Sequence, residues 1–181
     1  MILYFHEMTC PYVCAFDIEH DSGKVFQFSG VMFKRVGDGL YQLCRNINIY
    51  ARTNISKFIS KFTGISQGFL NSYGVSRNEF LNLFIEFLDG IDLDDIVFLS
   101  HGAHQDIKIL IENEFPIDGA HYMCTYNMAK QILDRSEHLT VGDIAEECGY
   151  TFPAHNAYND AMATAIILSF LLKKRGEILN D

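Results

Sequence analysis

Proline is scarce in this chain, 3 in 181 residues, and no stretch is built from a few repeated residue types. That excludes a disordered or collagen-like chain. Basic residues are also few: 14 Lys and Arg stand against 23 Asp and Glu, a formal net charge of −9. A surface with that balance does not coat duplex nucleic acid non-specifically, which requires a basic face. Long apolar runs are missing. The most apolar stretch, Ala161 to Leu172, includes Thr164 and Ser169 and is far shorter than the roughly 20 residues a bilayer demands. No membrane partner is expected. The N-terminus MILYFHEMTC has neither a basic leader nor a long apolar core, so no signal peptide is expected. The five cysteines (Cys10, Cys14, Cys44, Cys124 and Cys148) are an odd number without a C-x-x-C pair. They predict buried, reduced thiols and a cytoplasmic protein.

What remains is a chain 49% hydrophobic, long enough to bury a core as one domain over 1–181. Its first part reads as strands. Tyr12 to Glu19 runs into a turn at His20-Asp21-Ser22-Gly23, Lys24 to Arg35 follows, and Gly37-Asp38-Gly39 marks a tight turn before Leu40 to Tyr50. Short turns between neighbouring strands predict an antiparallel meander. Ser76-x-x-Glu79 is a capping box opening a helix to about Leu88. A short strand is expected at Ile96 to Leu99, a helix at Ala103 to Asn113, a strand at His121 to Thr125 and a helix near Asn127 to Leu133. Thr140 to Cys148 reads as a short helix ended by Gly149. Ala157 to Lys174 is the longest helix, with Lys173, Lys174 and Arg175 expected in its last turn. The order predicts an α/β fold with a mixed five-stranded sheet, the antiparallel meander then parallel strands, flanked by helices.

Ligands on such sheets collect at the carboxyl ends of the strands. Asp17-Ile18-Glu19 ends the first strand. Residues i and i+2 share a face, about 6.5–7 Å apart, so one hard cation can bridge both carboxylates. Alone the pair is weak, since chance supplies it about once in a chain this acidic. His-x-x-x-x-Asp occurs three times, at His101/Asp106, His138/Asp143 and His155/Asp160, and spacing does not choose among them. Asp106 opens a helix, where favourable charge near the N-terminus is a sufficient explanation. His138 and Asp143 read as a surface turn and a helix start. His155 follows Pro153, and Asp160 lies in the first turn of the longest helix. The order raises the odds: a carboxylate pair after the first strand, a third acid after the fourth, and a fourth preceded by a histidine. Four oxygen donors suit Mg²⁺ or Mn²⁺ and not zinc, and two such ions about 3.5–4 Å apart serve in-line phosphoryl displacement.

The sequence resembles the DEDDh 3′–5′ exonucleases, the DnaQ-like group of polymerase proofreading subunits (DNA polymerase III epsilon-like) and ribonuclease T-like enzymes. The strand ending in D-x-E matches VCAFDIEH, H-N-x-x-x-D matches SHGAHQDIKIL, and H-x-A-x-x-D-A-x-A-T matches HNAYNDAMATAIIL. KFTGIS resembles the family's T-G-I loop and TYNMAKQIL its helix after strand five, so the likeness runs from about 12 to 172. The resemblance implies a ribonuclease H-like fold, metal ligands at Asp17, Glu19, Asp106 and Asp160, and a general base at His155. It implies substrate contacts at Ile18, His20, Thr63, Gly64, Ile65, Phe69 and His101, with Ile65 wedged against a terminal base. The pattern departs from the family at His20-Asp21-Ser22, where Thr-Thr-Gly is usual, at Gly102 for Asn, at Gln105 for Phe and at Cys124 for Asp.

The implied function is hydrolysis of the terminal phosphodiester at a single-stranded 3′ end, DNA or RNA, with two divalent cations, Mg²⁺ or Mn²⁺, releasing nucleoside 5′-monophosphates. The implied partners are that 3′ end and a polymerase or other replication or repair protein. Arg45, Arg52, Lys57 and Lys61 are phosphate-tracking candidates, and Phe62, Phe69 and Tyr73 are stacking candidates. Two other classes fit the same acids: a catalytically weak binding or polymerase-associated module of this fold, and a metal-dependent phosphatase acting on small substrates.

Overall fold

The computed structural model describes residues 1–135, 137–153 and 156–180. Three strands form the meander: β2 (Tyr12–Asp21), β3 (Lys24–Arg35) and β4 (Leu40–Tyr50). An edge strand, β1 (Ile2–Tyr4), pairs antiparallel with β4. Two more, β5 (Ile96–Ser100) and β6 (His121–Cys124), run parallel to β2 on its other side. The sheet order is β1-β4-β3-β2-β5-β6. The expected mixed sheet is present with six strands in place of five, because the three residues of β1 are too short a run to carry a sequence pattern. The β2–β3 hairpin closes through Ser22 and Gly23, both at positive φ, the geometry of a two-residue turn matched to strand twist.

Seven α-helices flank the sheet among the described residues: α1 (Lys57–Thr63), α2 (Gln67–Tyr73), α3 (Arg77–Leu88), α4 (Ala103–Glu112), α5 (Thr125–Ile132), α6 (Val141–Glu147) and α7 (Ala157–Asn180). Ser76 accepts from the Glu79 N–H, one half of the expected box opening α3. The full reciprocal box occurs instead at Thr140 and Asp143, opening α6. Helix α7 outruns its expected end. Lys173 and Lys174 therefore lie within the helix, each near the Glu177 carboxylate at 3.9 and 3.6 Å.

Alternation along the strands splits the core. Cys14, Phe16 and Phe28 face α3 and α4, where Phe84, Phe87, Leu110 and Phe115 close around Phe28. Val13, Ala15, Val31 and Phe33 face α7, meeting Ala161, Ala165 and Leu168. The thiols are all free, but only Cys14 is fully buried, and Cys44 is exposed on β4. Among the described residues no helix is long and apolar enough to cross a membrane.

Candidate active site

Asp17 and Glu19 continue the row of Val13 and Ala15, so they leave β2 on the face that α7 covers. The buried alanines Ala157, Ala161 and Ala165 let α7 lie close against that face, bringing Asp160 in its first turn to the same end of the sheet. Strand β5 lies parallel beside β2 and hands on to α4, whose first turn carries Asp106. A pocket of about 430 Å³ opens there, lined by Asp17, Ile18, Glu19 and Asp160 on one side. His101, His138, Thr140, Val141 and Gly142 form the other.

The acids repel one another. Burial, followed by the charges of Glu19, Asp160 and Asp106, holds the Asp17 carboxyl well above its usual range. Burial and Asp160 push Glu19 up to about 7. Burial also raises Asp106, against the Ser100 hydroxyl that donates to its Oδ2 at 2.6 Å. Asp160 Oδ2 accepts the Asn156 N–H at 3.0 Å. Among the described residues no three His, Cys, Asp or Glu side chains are drawn together into a ready-made ligand cage. The donor chemistry nonetheless suits a hard cation: the groups are all carboxylates, crowded and half-buried, and a dication removes both the repulsion and the burial cost.

The other expected residues fall in three places. Ile18 borders the pocket, but its side chain packs in the α3/α4 core, leaving its backbone to the site. His101 is a wall residue fixed at both nitrogens. Its Nε2 donates to the Leu139 carbonyl at 2.8 Å, which leaves Nδ1 to accept from the Thr125 hydroxyl at 2.9 Å. Burial depresses its pKa. His20 is bound into the hairpin, where Nδ1 accepts the Gly23 N–H. Thr63, Gly64, Ile65 and Phe69 lie on the α1–α2 segment and do not line the pocket. There Thr63 Oγ1 donates to the Ile59 carbonyl and accepts the Ile65 N–H, Gly64 caps α1 at φ 74, and Phe69 packs edge-on against Tyr50. His155 lies outside the described residues.

Some neighbours of the site were not among the expected site residues. His138 is exposed, as the surface-turn reading expects, and Asp143 opens α6; beyond that reading, His138 also borders the pocket, with its ring against Tyr126. Gln27 and Ser29 stand opposite Glu19 and Asp17 across the β2–β3 register. Both are buried; Gln27 donates to Asn48 and Tyr50, and Ser29 to Asn48. Polar residues at alternate positions of the otherwise apolar KVFQFSGVMF were the signal for this extension.

The profile of the exonuclease family (RNase_T) matches residues 38–168, well over half of the chain. That stretch contains Asp106 and Asp160, while Asp17 and Glu19 precede it. No curated protein matches the sequence significantly. Among solved structures, cell-death related nuclease 4 (CRN-4) superposes with a TM-score of 0.71 at 18% identity, covering 91% of this chain and 64% of that one. This chain therefore spans less than two thirds of that nuclease. The nuclease domain of 3′hExo, a DEDDh family member bound to rAMP, gives 0.68 at 14% identity, covering 91% and 92%. E. coli Exonuclease I in complex with a dA16 oligonucleotide gives 0.68 at 12% identity, covering 93% and 42%. At these identities the structural likeness is one of fold, a mixed sheet flanked by helices of the ribonuclease H-like kind. The profile match over α4 and the start of α7, on that fold, places this chain in the exonuclease family, with the architecture of its DEDDh members.

Proposed function

We propose that the chain is a metal-dependent 3′–5′ exonuclease, one domain over 1–181. It removes the terminal nucleotide from a single-stranded 3′ end, DNA or RNA, as a nucleoside 5′-monophosphate. One observation carries the reading: four carboxylates from three separate elements share one electrostatic neighbourhood around Asp17, three of them lining one pocket. Such crowding of like charge has no structural benefit, and it suits the binding of dications. In this reading Asp17, Glu19, Asp106 and Asp160 hold two Mg²⁺ or Mn²⁺. When bound, such ions activate water and stabilise charge on the departing oxygen. His155 takes the proton of the attacking water, a role suited to a group titrating near neutrality. The α1–α2 segment around Thr63, Gly64, Ile65 and Phe69 seats the terminal nucleotide, with His101 and the Ile18 backbone at the pocket edge and His20 contributing from the β2–β3 hairpin. Nothing in the fold or the comparisons supports a polymerase partner, and the reading includes none.

The test is digestion of oligomers labelled at either end, with Mg²⁺, Mn²⁺ or EDTA. Mononucleotide 5′-phosphates are expected from the 3′ end only, and none in EDTA. Release from the 5′ end, or turnover indifferent to chelation, overturns the reading. Strand binding without turnover would favour the catalytically weak module.

A further inference from the structure

Residues 39–78 contain no Asp or Glu, although the whole chain holds 23. They contain five cations: Arg45, Arg52, Lys57, Lys61 and Arg77. The three arginines serve the fold. Arg45 donates to the Phe87 carbonyl and pairs with Asp89, Arg52 donates to the Gly74 carbonyl, and Arg77 lies over the Phe80 and Phe115 rings. The two lysines are exposed on α1 and form no ion pair among the described residues.

The same short helix exposes two aromatic rings. Phe58 is 75% and Phe62 55% accessible, and the rings lie nearly parallel, 12° apart with centroids at 6.4 Å. Positions i and i+4 form one ridge on a helix, and Lys57 and Lys61 form the adjacent one. Large apolar side chains this open are not core packing. Rings beside unpaired cations, in an acid-free segment of an acidic protein, match a single strand: bases stack on rings while phosphates meet ammonium groups. The ridge is also tied to the site. The Ser56 N–H, at the start of α1, donates to Asp21 Oδ2 at the tip of the β2–β3 hairpin. Glu19 lies two residues before that aspartate on β2. The other end of α1 is Gly64, and six residues of helix set Phe58 about 9 Å back from it.

We propose that Phe58 and Phe62, flanked by Lys57 and Lys61, form a platform for the single strand upstream of its terminal nucleotide. It makes this protein an exonuclease selective for single strands several nucleotides long. The proposal rests on the nuclease reading above, and binding and cleavage are read separately to keep the two apart.

The probes are 5′-fluorescein thymidylate and uridylate, as dimers and 12-mers with phosphorothioate linkages, bound in Mg²⁺ and followed by anisotropy. Phe58→Ala is expected to weaken 12-mer binding at least about fivefold, the lower end of a lost stacking contact. Dimer binding should hold, as should hydrolysis of an aryl ester of thymidine 5′-monophosphate. Lys57→Gln and Lys61→Gln should each flatten the salt dependence of 12-mer binding by about 0.7 in log–log slope. Equal 12-mer affinity in wild type and Phe58→Ala overturns the platform and is the result expected if α1 docks a protein instead. Equal losses on dimer and 12-mer also overturn it, since they mark a general distortion. A chain that binds 12-mers through Phe58 but releases no mononucleotide refutes the catalytic reading alone.

Discussion

Asp17 is under two opposing demands. Its carboxyl sits among three others at the end of a buried strand, so in the absence of a counter-charge it destabilises the fold. Asp17→Asn keeps the shape and removes the charge. In chelator this substitution is expected to raise stability by about 0.5–2 kcal/mol, read by thermal unfolding. In Mg²⁺ it should cost more turnover than the about 10²–10⁴-fold expected of His155→Ala, read by release from a 3′-labelled oligomer. A variant both less stable in EDTA and active in Mg²⁺ contradicts the site. Gly102 poses a simpler case. It is the N-cap of α4 without a side-chain hydrogen bond, at φ −117, and the nearest neighbour of a Cβ there would be the Asp106 carboxylate, at 3.5 Å or more. Gly102→Asn is expected to gain about 0.5 kcal/mol in unfolding experiments. The D-x-E pair was legible in the sequence because strand alternation is local. Spacing alone did not choose between Asp106 and Asp143, since both open helices; the order of the acids and the likeness of SHGAHQDIKIL to H-N-x-x-x-D pointed to Asp106. Their burial differs in the same sense: Asp143 is exposed and completes the Thr140 capping box, while Asp106 is largely buried.

At the scale of elements, legibility followed length and periodicity. The meander, α3, α4 and α7 each repeat a pattern for ten residues or more; their extents were close to expectation except at the C-terminal end of α7, which runs on to Asn180. Helices α1 and α2 span seven residues each and carry no acid in the first turn, so their Ser56 and Ser66 caps alone gave too little signal. The β2–β3 hairpin is where an element meets function. The usual Thr-Thr-Gly is replaced by a turn that holds His20 at the Gly23 N–H and clamps α1 through Asp21. Gly23 sits at φ 83 with open space around it, so Gly23→Ala pays only for backbone strain, about 1–2 kcal/mol. Phe28, on the same hairpin, touches Phe16, Phe84, Phe87 and Phe115 in the core. Phe28→Ala should cost about 3–5 kcal/mol. Denaturant unfolding of both variants checks the ranking, and a larger loss at Gly23 than at Phe28 would show that the sheet is not held by its aromatic core.

For the whole molecule the deciding quantity is charge. The chain carries −9 overall and concentrates four of its acids at one end of the sheet, so its stability depends on pH and on metal together. Glu19 shifts from the usual 4.5 to about 7, and Asp17 and Asp106 are raised as well. Between those pH values the folded chain keeps protons that the unfolded chain has shed, so chelated protein loses stability as pH rises from about 4.5 to 7. Glu19 alone accounts for about 1–2 kcal/mol once solvent screening is allowed for. Asp21 and Asp143 have lowered values and act with the opposite sign. They lie outside the pocket, so their effect cancels when the same protein is compared with and without metal. The melting temperature in Mg²⁺ should therefore exceed that in EDTA by a margin that widens from about pH 5 to about pH 8, as the acids ionise and metal competes with fewer protons. A margin that is constant across that range, or absent, would mean that these carboxylates do not bind the ion together. Single-strand affinity should follow the same margin, because until the charge is neutralised the pocket repels the phosphates it is proposed to cut.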